Sequence, residues 1–171
     1  MIRDGCCRGP VYTLYMQLKR IGLKAVTVES LTGGLIGSEM TKFPGASEVF
    51  LGGVISYRNE MKLLLPGIDA DLLATYGPVS KETVSAMATG ILTLCPFADI
   101  SLAVTGLAGP GGGTPVTPVG TVWIASALRK SVGGTVLLSM CVHLTGTRSS
   151  IRKQTVSAVA ELAMSLLDKE R

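Results

Sequence analysis

The feature that most constrains this chain is a stretch without one charged side chain, Ile100 to Leu128. It is long enough to cross a bilayer as a helix. It also carries six Gly and three Pro, which break a helix at that density. The segment therefore reads as an apolar strand, Ile100–Thr105, a loop, Gly106–Pro118, and a second apolar strand, Val119–Leu128. Strands this apolar call for a sheet covered on both faces.

The flanking segments supply the cover. Pro10–Ile21 has helical apolar spacing and stops at Gly22, and Lys24–Ser30 is rich in β-branched residues and reads as a strand. Thr32-Gly33-Gly34 opens a helix to about Lys42, Pro44-Gly45 marks a turn, and Val49–Tyr57 is a strand with a bulge or close approach at Gly52-Gly53. Helical fragments are expected at Glu60–Leu65 and Asp69–Tyr76, and a clear helix at Ser80–Cys95, capped by Ser80. Thr135–Leu144 pairs with Val119–Leu128 as a hairpin turning at Gly133-Gly134, and Ile151 to Leu167 forms the last helix. This order gives an α/β fold, a three-layer α/β/α sandwich with a mixed β-sheet. Residues 1–9 read as a loose N-terminal segment and 10–171 as one domain, in keeping with a chain of 171 residues.

Composition excludes several functions. With 47% hydrophobic and 16% charged residues the chain is not disordered. The net charge of +4 comes from scattered Lys and Arg, and aromatics are only 5%, so nucleic acid is not the expected partner. A smaller anionic ligand is compatible with this charge. One His excludes a His-rich metal site and disfavours a Ser-His-Asp hydrolase. The cysteines Cys6, Cys7, Cys95 and Cys141 form no C-x-x-C pair, so no metal is expected, and reduced thiols suit a cytoplasmic protein. The first residues carry no apolar h-region, so neither a signal peptide nor membrane association is expected.

Two segments can carry chemistry. In Glu29-Ser30-Leu31-Thr32-Gly33-Gly34 a strand hands over to a helix, where free N–H groups can hold an anion or oxyanion and Ser30 can present a hydroxyl. The competing reading makes Ser30 or Thr32 a helix cap and the glycines turn residues. A serine nucleophile needs a base. His143 lies in a strand without special context, whereas Tyr57 ends a strand and Lys62 follows five residues later. A lysine serves as base when its pKa is lowered. The second segment, Thr105 to Gly113, has five glycines between Gly106 and Gly113 and resembles a phosphate-binding nest. Arg148 and Arg152 share a face near the start of the last helix, where an arginine can fork onto a phosphate or simply be solvated.

In order and spacing, these segments resemble the C-terminal domain of the competence-damage protein CinA. The matches are Glu29 to Gly34, Pro44 to Ser47, Tyr57 to Lys62, Tyr76 to Ser80, Val104 to Gly113, Pro118 to Trp123 and Gly146 to Arg148. The resemblance covers about Tyr12 to Leu167. It implies a serine amidohydrolase that deamidates nicotinamide mononucleotide, in pyridine nucleotide recycling, with no cofactor and no metal. It implies Ser30 as nucleophile, with Lys62 and Tyr57 as proton-handling partners, either of which is a candidate base. Thr32, Gly33 and Gly34 would supply oxyanion or phosphate donors, and Thr105, Gly106, Gly111, Gly112, Gly113 and Arg148 would bind the nucleotide. A homo-oligomer is expected. Leu31 stands where the family usually has Cys, Arg58 where it has Ser, and Thr147 where it has Asp. The alternative is a non-catalytic nucleotide- or phosphate-binding module on the same fold.

Overall fold

The computed structural model describes residues 9–170. The expectation for the loose N-terminal segment, apart from Gly9, and Cys6-Cys7 therefore lie outside the described residues. The chain runs α1 (Pro10–Ile21), β1 (Ala25–Glu29), α2 (Leu35–Met40), β2 (Phe50–Ile55), α3 (Asn59–Lys62), α4 (Ala70–Tyr76) and α5 (Lys81–Leu94). It continues with β3 (Ile100–Gly106), β4 (Thr121–Arg129), β5 (Thr135–His143) and α6 (Arg148–Lys169).

The five strands form one sheet in the order β2-β1-β3-β4-β5. The pairs β1–β2 and β1–β3 are parallel, and β3–β4 and β4–β5 are antiparallel. The charge-free stretch thus supplies two neighbouring inner strands. One face buries Leu14, Leu18, Ile36, Met40, Val159 and Ala163, from α1, α2 and α6, with Leu102, Val104 and Ile124 of the sheet. The other buries Val84, Met87 and Ile91 of α5 with Val28, Ala103 and Ala125. This is the three-layer sandwich expected from the order of the elements. Among the described residues, no helix is long and apolar enough to cross a membrane.

Cover on both faces is complete for β1, nearly so for β3 and β4, and only partial at the edges. In β5, Leu137 and Met140 stay 38% and 45% exposed, although the strand's sequence is as apolar as that of its neighbours. An edge strand has no second neighbour, and the helices reach only part of it.

Because β2, β1 and β3 are parallel, their carboxyl ends share one edge of the sheet, with Glu29 opposite both Ile55 and Val104. The residues that follow, Ser30, Ser56 and Leu107, emerge together where α/β sheets commonly bind ligands. The bulge expected near Gly52-Gly53 appears as a register shift between Ala25 and Val26. Gly53 is the close approach, since a methyl there would overlap the Thr27 hydroxyl and lie 2.7 Å from the Thr27 carbonyl oxygen. Gly53→Ala is expected to lower the unfolding free energy by about 1–3 kcal/mol, the usual cost of overpacking, measured by urea titration.

Candidate active site

β1 delivers Ser30 to the carboxyl edge, and the Ser30 N–H donates to the Val104 carbonyl at 3.1 Å, which fixes the residue to β3. The turn then closes on itself as the Gly33 N–H donates to the Ser30 carbonyl at 3.1 Å. Neither Ser30 nor Thr32 caps α2. The capping position is Gly34, whose φ of 93° suits glycine, and it offers no side chain. Glu29 does the capping from the end of the strand. Its Oε2 accepts from the N–H groups of Gly34 and Ile36, each at 3.0 Å, and its Oε1 from that of Gly37 at 2.9 Å.

This corrects the expectation for Gly33 and Gly34, whose N–H groups are engaged inside the chain rather than turned to a ligand. The role of Glu29 escaped sequence reasoning because the carboxylate lies outside the usual cap position. The available signal was an acid closing an otherwise apolar strand, since a buried Glu needs partners.

A cleft of about 260 Å³ opens at this edge. Of the expected site residues it gathers Ser30, Tyr57, Lys62, Thr105, Gly106, Gly111 and Arg148, joined by Leu31, Asn59, Pro78, Val79, Leu107, Ala108 and Gly109. Thr32, Gly33, Gly34, Gly112 and Gly113 do not line it. The Thr105 hydroxyl donates to the Pro78 carbonyl at 2.7 Å and so holds the Pro78-Val79 wall against β3. His143 ends β5 opposite Thr121, away from the lining.

Lys62 ends α3, a helix of four residues, and is only 2% exposed. Its Nζ donates to the Ser30 Oγ at 3.2 Å and to the Ser56 carbonyl at 2.9 Å. Both partners are neutral oxygens. Burial without a carboxylate lowers the Lys62 pKa to about 8. Sequence gave no sign of this burial, because a lysine closing a short helix is usually solvated.

Helix α6 braces the cleft. Arg148, its first residue, donates from Nη1 to the Gly109 carbonyl at 2.7 Å and from Nη2 to the Tyr57 hydroxyl at 2.9 Å. Arg152, one turn on, donates from Nη2 to the Thr32 carbonyl at 2.6 Å. One arginine therefore holds the glycine loop and the other the turn after Ser30, a role for Arg152 that spacing alone did not reveal. Thr147 caps the helix by accepting from the Ser150 N–H at 3.2 Å.

A family model described as the CinA C-terminal domain matches residues 11–167. This chain belongs to the CinA C-terminal domain family. A CinA-like protein of Akkermansia muciniphila is 46% identical over 87% of the chain, and one of Myxococcus xanthus is 42% identical over 85%. The chain spans only 34% and 33% of those two relatives' lengths. Among solved structures, a CinA superfamily protein of Klebsiella pneumoniae has a TM-score of 0.83 at 32% identity, covering 93% of this chain and 96% of that one. The competence/damage inducible protein CihA of Agrobacterium tumefaciens has a TM-score of 0.81 at 34% identity, covering 92% and 96%. Leu31 is a buried wall of the cleft, and Arg58 pairs with Glu60 at 2.9 Å on the surface.

Glu29→Ala leaves three N–H groups at the start of α2 without their acceptor, and a loss of about 1–3 kcal/mol is expected in thermal unfolding. Lys62 tests the burial. Its folded pKa lies below the unfolded value, so the unfolded chain holds more protons between about pH 8 and 10.5. Wild-type stability measured against Lys62→Met should therefore rise across that window, by about 1–3 kcal/mol in all. A flat difference between pH 7 and 10.5 would contradict the burial of an unpaired ammonium.

Proposed function

We propose that the chain is a serine amidohydrolase that converts nicotinamide mononucleotide to nicotinic acid mononucleotide and ammonia. The observation that carries this reading is the Ser30 Oγ beside the Lys62 Nζ at 3.2 Å, in a cleft with no carboxylate on its lining. A lysine with a pKa near 8 is neutral in a useful fraction of molecules at physiological pH, and a neutral amine can take a proton.

The steps follow from that pair. Lys62 takes the Ser30 proton as Oγ bonds to the carboxamide carbon, and the carbonyl electrons move onto its oxygen. The Leu31 N–H, which follows the nucleophile and donates to no acceptor among the described residues, is available to that oxyanion. Collapse breaks the C–N bond, and Lys62 returns its proton to the departing nitrogen, releasing ammonia. Water then attacks the acyl ester with Lys62 as base, the C–Oγ bond breaks, and Lys62 returns the proton to the Ser30 Oγ as nicotinic acid mononucleotide leaves. The nucleotide phosphate is remote from the bond that breaks, so its contacts contribute positioning energy.

The test is ammonia release from purified protein incubated with nicotinamide mononucleotide. Wild type is expected to turn over, with kcat rising with pH to a plateau and a midpoint near pH 8 as Lys62 loses its proton. Ser30→Ala and Lys62→Met should each lose about 10²-fold or more in kcat. Binding of the mononucleotide without any turnover by the wild type would overturn the reading in favour of a non-catalytic binding module.

A further inference from the structure

The Tyr57 phenol makes no hydrogen bond to Ser30 or Lys62. It stands 55% exposed on the cleft wall, and its oxygen accepts a hydrogen bond from the Arg148 Nη2 at 2.9 Å. The Lys62 ammonium already has Ser30 and Ser56 as partners and makes no hydrogen bond to Tyr57. The proton path from Ser30 to Lys62 is therefore complete without the phenol.

Arg148, besides bracing the glycine loop, carries a charge that no neighbouring acid offsets. It is the first residue of α6, where the helix dipole disfavours positive charge, and the first turn has no acid to offset it. Its guanidinium forms no salt bridge among the described residues. Its two partners, the Gly109 carbonyl and the Tyr57 hydroxyl, are neutral oxygens, so its charge stays uncompensated. A guanidinium has five N–H donors in one rigid plane. These two contacts use one donor on each terminal nitrogen and fix the plane, leaving three donors unused.

We propose that Tyr57 is a positioning residue. With the Gly109 carbonyl it locks the Arg148 guanidinium against the cleft so that the unused donors grip the phosphate of a mononucleotide, and it carries no proton in the reaction. The catalytic part of this statement rests on the amidohydrolase reading, whereas the binding part does not.

The test compares nicotinamide mononucleotide with nicotinamide riboside, which has the same carboxamide and no phosphate, using Tyr57→Phe, Arg148→Lys and the double variant. For the mononucleotide, Tyr57→Phe is expected to raise KM about tenfold, the worth of one hydrogen bond to a charged group. Its kcat should change less than about threefold, and its KM for the riboside should not change. The double variant should be no worse than Arg148→Lys, because a lysine lacks the fork that the phenol orients. A kcat loss of about 10²-fold or more on both substrates, with an altered pH profile, would show that the phenol moves a proton and would overturn the proposal.

A binding arm separates this proposal from the reaction. In a Ser30→Ala background, calorimetry should find mononucleotide affinity about tenfold weaker after Tyr57→Phe, and riboside affinity unchanged. That result with no turnover by the wild type would sink the amidohydrolase reading and leave the positioning role standing. Equal mononucleotide affinity with and without the phenol hydroxyl, or no mononucleotide binding at all, would overturn the positioning role.

Discussion

The interaction on which the site depends is the contact of a buried lysine with oxygens that carry no charge. An ammonium removed from water is ordinarily stabilised by a carboxylate. Lys62 has instead the Ser30 hydroxyl and the Ser56 carbonyl. Its proton is therefore held loosely, which is the condition for lysine to act as a base near neutral pH. The fold makes the contact from three adjacent parts. The parallel β1 and β2 end at the same edge, β1 delivers Ser30, β2 delivers the Ser56 carbonyl, and the one turn of α3 brings Lys62 back over both.

A buried acidic side chain lies one residue before the lysine's partner Ser30 and is held differently. Glu29 precedes Ser30 and is satisfied by three backbone N–H groups at the start of α2. That arrangement fixes the turn that carries the serine. It also occupies the helix N-terminus that would otherwise attract an anionic ligand. The donors left on the cleft wall include the Leu31 N–H and the Arg148 guanidinium. The cleft lining thus combines an amine and a hydroxyl with a guanidinium that no acid offsets. The arginines of α6 tie the turn after Ser30 and the glycine loop to a single helix, Arg152 through Thr32 and Arg148 through Gly109.

The sequence revealed the fold wherever a local pattern had one physical meaning. Apolar runs broken by glycine became β3 and β4, and Ser80 caps α5 by accepting from the Thr83 N–H. The Ser30, Tyr57, Lys62 and Arg148 neighbourhood was legible only as the sum of several weak motifs, given meaning by a family resemblance. What stayed hidden depends on contacts between distant parts of the chain. The Arg152–Thr32 bond joins residues 120 apart, and nothing in the spacing of two arginines distinguishes such a brace from a solvated pair. The burial of Lys62 was equally hidden, because α3 is too short to show an amphipathic pattern. The glycines Gly33 and Gly34 offered the opposite difficulty. Their N–H groups suggested a ligand, and the structure gives both to the chain itself, to Ser30 and to Glu29.

The most direct test of this account is the titration of Lys62 itself, followed by NMR of protein labelled with ¹³C at the lysine ε-carbons. The Lys62→Met variant identifies the signal by its disappearance. The account predicts one lysine resonance with a midpoint near pH 8, well below the others, as burial without a carboxylate requires. A Lys62 signal that stays fully protonated up to pH 10 would contradict it, because a lysine held that firmly could not take the proton of Ser30 at neutral pH.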